Sequence, residues 1–232
     1  MKHLFACILL MTTVLSVTEL SAQNRDWANL NRYEKENIEL QQEKNTGKRV
    51  VFMGNSITEV WVNIHPDFFK SNGYIGRGIS GQTSYQFLVR FREDVINLSP
   101  AVVVINAATN DVAENTGAYN EDYTFGNIVS MVELAKANNI KVILTTTLPA
   151  AAFGWNKSIT DAPQKIAALN ARLQKYAKKN NIPFVDYYSE MVVGENKALN
   201  PQYTKDGVHP TAEGYDVMEK LVRKVIDKVL RK

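Results

Sequence analysis

Cysteine is nearly missing: the 232-residue chain has one, Cys7. That excludes an internal disulfide framework and a cysteine-based zinc cluster. Histidine is scarce too, and three residues leave little room for a His-rich metal site. No basic block is present. The 27 Lys and Arg stand against 24 Asp and Glu, a formal charge of +3 spread along the chain, so the electrostatic footprint of a nucleic-acid binder is missing. With 12 Gly and 7 Pro the chain is neither collagen-like nor of low complexity. It carries no internal repeat and no Ser- or Pro-rich linker. What remains is a globular composition, 45% hydrophobic and 22% charged, at a length that fits one α/β domain.

The longest apolar run is N-terminal. Met1 and Lys2 give a short positive start, Leu4 to Val17 is almost wholly apolar, and Leu20-Ser21-Ala22 supplies small residues before Gln23. This pattern predicts a secretory signal peptide over residues 1–22, cleaved after Ala22. The run is too short for a comfortable membrane span, so no stable insertion is expected after cleavage. The mature protein is then secreted or periplasmic. Cleavage removes Cys7, which lies too early in the apolar run for a lipid-anchored cysteine.

Residues 23–48 are expected to form an N-terminal helical extension, with Trp27, Leu30, Tyr33, Ile38 and Leu40 about three apart. From residue 49 to 232 strands and helices alternate. Continuous apolar runs begin near 49, 74, 101, 141 and 182. Runs without alternation suit strands buried on both faces of a parallel sheet. Helical patterns fill the gaps at 82–97, 124–138, 163–180 and 212–231. The spacing fits β-helix-β units of about 30 residues or more. The expected fold is one three-layer α/β/α sandwich, flavodoxin-like, on a five-stranded parallel sheet.

In such a sheet the ligand crevice lies beyond the carboxyl ends of the strands. The residues there are Gly54-Asn55-Ser56, Ile79-Ser80-Gly81-Gln82-Thr83, Thr109-Asn110-Asp111, the loop carrying Phe153 and Trp155, and Asp206-Gly207-Val208-His209-Pro210. Each has an ordinary reading when taken alone. Ser56 is a helix N-cap, Gly81 a turn residue, Asn110 a loop residue, and the Asp206–His209 segment a turn before the last helix. Together they form a serine hydrolase constellation. A carboxylate three residues before a histidine can hold Nδ1–H and turn Nε2 toward a serine. Gly81 N–H, the Asn110 amide and the Ser56 N–H are candidate oxyanion donors. His65, the other histidine of the mature chain, reads as a packing or surface residue.

These four blocks resemble those of the SGNH hydrolases, also called the GDSL esterase/lipase family. Gly54-Asn55-Ser56-Ile57 is similar to block I, Ile79 to Thr83 to block II, Thr109-Asn110-Asp111 to block III, and Asp206 to Pro210 to block V. The resemblance implies a cofactor-free acyl hydrolase with no metal. It implies Ser56 as nucleophile, His209 as base, Asp206 as its orienter, and Ser56, Gly81 and Asn110 as oxyanion hole. Two positions depart from the family pattern. Asn55 stands where the family name has Asp, and Ala108 where block III has Gly.

The expected activity is hydrolysis of short acyl esters, acetyl above all, on carbohydrate. Asn55 and Trp155 are the candidate substrate contacts, and the partner is a small-molecule or glycan ester. A lysophospholipase or platelet-activating-factor-acetylhydrolase-like activity is the alternative. A non-catalytic carbohydrate-binding protein on the same fold is the alternative of another class. A nucleotide or flavin binder is disfavoured, because the loop after the first strand has too few glycines to cradle phosphate.

Overall fold

The structure is a computed structural model describing residues 26–45 and 47–231. The expected signal segment lies outside the described residues. Five parallel strands form the sheet: β1 (Val50–Gly54), β2 (Tyr74–Gly78), β3 (Val102–Ile105), β4 (Lys141–Thr145) and β5 (Phe184–Val185). Their order across the sheet is β2-β1-β3-β4-β5. That order reverses between β1 and β3, the switch point at which ligands bind in open α/β sheets.

Alternate strand residues feed two separate cores. Val51, Met53, Val103, Ile105, Val142 and Leu144 face one side. There they pack on α4 (Ser84–Asp94), α6 (Glu121–Ala137) and α7 (Ala162–Lys179). Val50, Phe52, Val102, Val104 and Ile143 face the other. There the partners are α2 (Ser56–Ile64), α3 (Pro66–Lys70), α8 (Tyr187–Met191) and α9 (Ala212–Leu230). The period-2 alternation of a strand thus makes both faces apolar and yields the three-layer sandwich.

The five expected strands are all present. The fifth shortens to two residues, because Pro183 has no N–H to give and Asp186 leaves the strand to cap α8, accepting from Ser189 N at 3.0 Å. The short helices α3, α5 (Thr109–Val112) and α8, and a two-stranded antiparallel pair at Val192–Val193 and Ala198–Leu199, lay below the sequence pattern. The N-terminal segment forms a 3₁₀ turn (Leu30–Tyr33) leading into α1 (Glu34–Gln42). It packs on the β2 side of the sheet. The Tyr33 hydroxyl donates to the Gly78 carbonyl, and Asn37 Nδ2 donates to Asp94 Oδ1 at 2.8 Å.

One glycine fixes how closely β2 approaches the start of α2. A Cβ on Gly78 would stand 2.3 Å from Glu59 N and 2.6 Å from Asn55 O. Only a residue without a side chain lets strand and helix backbone meet there.

Candidate active site

β1 ends at Gly54, and α2 starts two residues later at Ser56. The cap of α2 is Asn55, whose Oδ1 accepts from Ile57 N at 3.0 Å. The capping role that serine could have filled is therefore taken, and the Ser56 hydroxyl is free for another partner. That partner arrives from 153 residues away: His209 Nε2 lies 2.8 Å from Ser56 Oγ. On the other side of the ring, His209 Nδ1 lies 2.6 Å from Asp206 Oδ2.

The Asp206–His209 turn is held by its own carboxylate. Asp206 Oδ1 accepts from Val208 N at 2.9 Å and His209 N at 2.8 Å. Gly207 supplies the turn with φ +83°. Burial alone would raise the Asp206 carboxyl. The hydrogen bonds from the His209 ring and backbone and from Val208, together with the charge of His209, outweigh it and bring the pKa down to about 2. The carboxylate is therefore ionised at neutral pH. It can keep the proton on Nδ1 and leave Nε2 to accept one from serine.

The expected oxyanion donors come from neighbouring strand ends. Ile79 N donates to Gly54 O at 3.2 Å, and Asn106 N donates to Met53 O at 3.1 Å, tying the ends of β2 and β3 to that of β1. Gly81 follows at φ +78°. Ser56 N–H belongs to the first turn of α2, where helix geometry offers no acceptor. Asn110 gives one amide hydrogen to Gln82 O at 2.9 Å. A carboxamide carries two, so one remains.

A sequence model of the GDSL-like Lipase/Acylhydrolase family matches residues 52–217. The chain belongs to this family. Members are carboxylic ester hydrolases, and so is this one. A crystal structure of a protein assigned as an acylhydrolase from Bacteroides fragilis is 80% identical, with a TM-score of 0.88 over 89% of this chain and 100% of that one. A GDSL-like lipase from Bacteroides thetaiotaomicron is 75% identical, with a TM-score of 0.86 over 88% and 99%. An acetylxylan esterase, Axe2 of Geobacillus stearothermophilus, shares the fold at 21% identity and a TM-score of 0.61, over 78% and 95%. An uncharacterized lipoprotein of Bacillus subtilis, YqeF, is 25% identical over 177 residues, 64% of this chain and 69% of that one.

The two departures from the GDSL pattern have structural accounts. Asn replaces Asp at 55 without loss of the cap, since both side chains accept from the helix N–H groups. Asn55 is fully buried and caps α2 through its Oδ1. Ala108 adopts φ +82°, the left-handed conformation that glycine prefers. Its methyl is buried among core side chains.

Trp155 lies where the sequence reading put it. Its ring is 49% exposed and its centroid 6.3 Å from that of His209. Ser80, Gly81, Asn115, Gly154 and Asp206 are also exposed, so the surroundings of Ser56 form an open rim. His65 is remote in role: its Nδ1 is 2.7 Å from Glu219 Oε1, which also accepts from Trp61 Nε1 at 3.0 Å. With Asp216 these groups place three ligand atoms within 4.8 Å of one another, which could hold a divalent cation. Glu219 is already engaged by two donors, so the cluster serves packing of α2 on α9.

Arg90 and Asn115 escaped the sequence reading, and Asp111 entered it only as part of block III without a role of its own. Arg90 is fully buried. It donates to Gly54 O and Arg77 O, both at 2.9 Å, to Gln82 Oε1 at 2.6 Å and to Asp94 Oδ2 at 2.7 Å. One guanidinium thus clamps the ends of β1 and β2 under the site. Its signal was there to see, a charged pair Arg90/Asp94 on the same helix stripe as Phe87 and Phe91. Asp111 accepts from Ser84 N at 3.1 Å and from the Ser84 hydroxyl. It anchors the start of α4 next to Asn110. Burial pushes its pKa up, opposed by those hydrogen bonds.

Proposed function

We propose that this chain is an exported serine esterase that removes short acyl groups, acetyl above all, from carbohydrate. The observation that carries the reading is the relay Asp206–His209–Ser56, with contacts of 2.6 and 2.8 Å. In this reading His209 Nε2 takes the Ser56 proton as Oγ attacks the ester carbonyl carbon. Ser56 N–H, Gly81 N–H and Asn110 Nδ2 carry the charge that develops on the carbonyl oxygen. The C–O bond to the alcohol breaks, and His209 returns its proton to the leaving oxygen. Water then attacks the acyl-serine, giving its proton to His209, and the acid leaves as Ser56 regains its hydrogen.

Two features favour a sugar as the leaving alcohol. The rim is open, which suits a bulky polar leaving group and a small acyl group. An exposed indole stands beside the general base, and a flat aromatic face suits the C–H face of a pyranose. The acetylxylan esterase Axe2 has the same fold. Export follows from the N-terminal segment, and none of the described helices is long and apolar enough to cross a membrane.

The test is a release assay over p-nitrophenyl acetate, butyrate and decanoate, beside acetylated xylo-oligosaccharide and a lysophospholipid. The expected result is falling kcat/KM with acyl length and acetate release from the oligosaccharide. Preference for decanoate together with lysophospholipid turnover would replace the sugar reading by the lipid one. Failure of a fluorophosphonate to label Ser56 would leave a binding protein.

A further inference from the structure

Asn115 is exposed, follows α5 through Glu114 at φ +61°, and belongs to none of the four blocks. Yet it touches three parts of the site. Its backbone N–H donates to Asn110 O at 3.1 Å. Its Nδ2 donates to Gly81 O at 3.0 Å, and its Oδ1 accepts from Trp155 Nε1 at 2.9 Å. The orientation of the carboxamide is fixed by its partners. An indole N–H only donates and a peptide carbonyl only accepts, so both ends demand the same placement. Asp lacks the donor, Ser lacks the reach, and Gln is longer by a methylene.

We propose that Asn115 is a positioning residue that locks the Gly81 peptide and the Trp155 indole into one register, coupling the oxyanion side of the site to its sugar-facing wall. The proposal rests on the esterase reading above and adds to it which residue sets both turnover and leaving-group preference. The two groups it holds would otherwise be loose. Gly81 has the conformational freedom of a glycine, and a Cβ built there would meet only Asn115 Nδ2, at 3.9 Å. The next carbonyl, Gln82 O, is held by Asn110. Two asparagines thus fix successive carbonyls on the C-terminal side of Gly81, and Gln82 N, donating to Ile79 O at 3.3 Å, closes the turn whose central peptide carries the Gly81 N–H. Trp155 rests on Phe153 at 5.2 Å between centroids and is half exposed. Donors fixed before substrate arrives need no reorganisation during reaction. A displacement of 1 Å is enough to cost on the order of a hundredfold in rate.

The two arms separate by mutation. Asn115→Asp keeps the acceptor for Trp155 and loses the donor to Gly81. Trp155→Phe keeps a ring and loses the N–H to Asn115. Both are assayed on p-nitrophenyl acetate and on acetylated xylo-oligosaccharide, after thermal melting has shown each variant folded. Asn115→Asp is expected to lower kcat by about tenfold on both substrates, the size of a partly misplaced oxyanion donor, with KM for the sugar ester changed less than twofold. Trp155→Phe is expected to raise KM for the sugar ester by about fivefold and to lower kcat by less than Asn115→Asp does. Asn115→Ala should combine both effects. A kcat within twofold of wild type on both substrates in Asn115→Asp and Asn115→Ala overturns the proposal. So does an identical kcat and KM pattern for Asn115→Asp and Trp155→Phe. The Gly81 arm is read on the aryl ester alone. A wild-type enzyme that ignores the sugar ester therefore defeats the substrate reading while the coupling is still decided.

Discussion

Two charged networks meet the β1–α2 junction, Arg90 through Gly54 O and His209 through Ser56 Oγ, and they behave oppositely. Beneath the site, the Arg90 and Asp94 side chains are 0% and 2% exposed. Their guanidinium-carboxylate contact is ringed by carbonyls and amides. At the rim, Asp206 and His209 are 53% and 30% exposed. Burial drives the Arg90 pKa down, against the pull of Asp94. In Asp206 the hydrogen bonds win over burial. The lesson is that the deepest charges here hold backbone, whereas the groups suited to chemistry stay wet. A buried ion pair with full hydrogen bonding fixes geometry, because any misalignment exposes an unpaired charge to a low-dielectric interior. A reacting dyad needs access for substrate and a proton path.

The sharpest way to break this comparison is to delete one group from each network. Ser56→Ala should lower turnover of p-nitrophenyl acetate by about 10⁴-fold or more, with the melting temperature almost unchanged. Retained activity removes the rim from the chemistry. Arg90→Met should do the reverse. It strands Asp94 and frees the Gly54 and Arg77 carbonyls, at a cost of about 3–5 kcal/mol of stability by urea unfolding. If Arg90→Met melts like wild type, the buried clamp is not structural.

A smaller effect separates the networks by pH. The Asp206 carboxyl lies below its ordinary value in the folded chain. Its contribution to stability is thus complete above the unfolded carboxylate pKa, near 4, and is lost as pH falls toward 2. Asp206→Asn should lower stability at pH 7 by less than about 1 kcal/mol, since the group is half exposed, and flatten the fall in melting temperature between pH 4 and 2 to the same extent. An acid limb as steep as in wild type would assign that limb to other carboxylates. The smallest effect is expected at Ala108. Ala108→Gly relieves a left-handed alanine but loses a buried methyl and frees the unfolded chain, terms that oppose each other within about 1 kcal/mol. A stability change beyond that range would show that one term dominates.

Much of the fold was legible because strands buried on both faces write themselves as unbroken apolar runs, as in Val50-Val51-Phe52-Met53. β5 was legible in place but not in length, since proline and a capping aspartate end pairing that hydrophobicity alone would extend. Ser56, Asp206 and His209 could be picked out as candidates because a serine just after a strand and an Asp-Gly-Val-His turn each form a compact local block. The capping role of Asn55 was not legible. Sequence gives the residue after a strand, but whether its side chain turns outward or back onto the helix N–H groups is a matter of local dihedral angles. Arg90 and Asn115 were missed for a different reason. The Arg90/Asp94 pair marked a buried ion pair but not its partners, because the carbonyls of Gly54, Arg77 and Gly81 that the two residues hold leave no trace in side-chain pattern.

The close passage of Gly78 beneath the opening of α2 has a consequence for how such a protein can diversify. The seat of the Ser56 residue is main chain pressed on main chain, with no side chain in between to be exchanged. Rim residues such as Asn115 and Trp155 hang from separate loops. In the proposed esterase, substitutions there retune which alcohol departs while the Ser56 oxygen keeps its station, so new preferences are open to this scaffold without rebuilding its reactive corner.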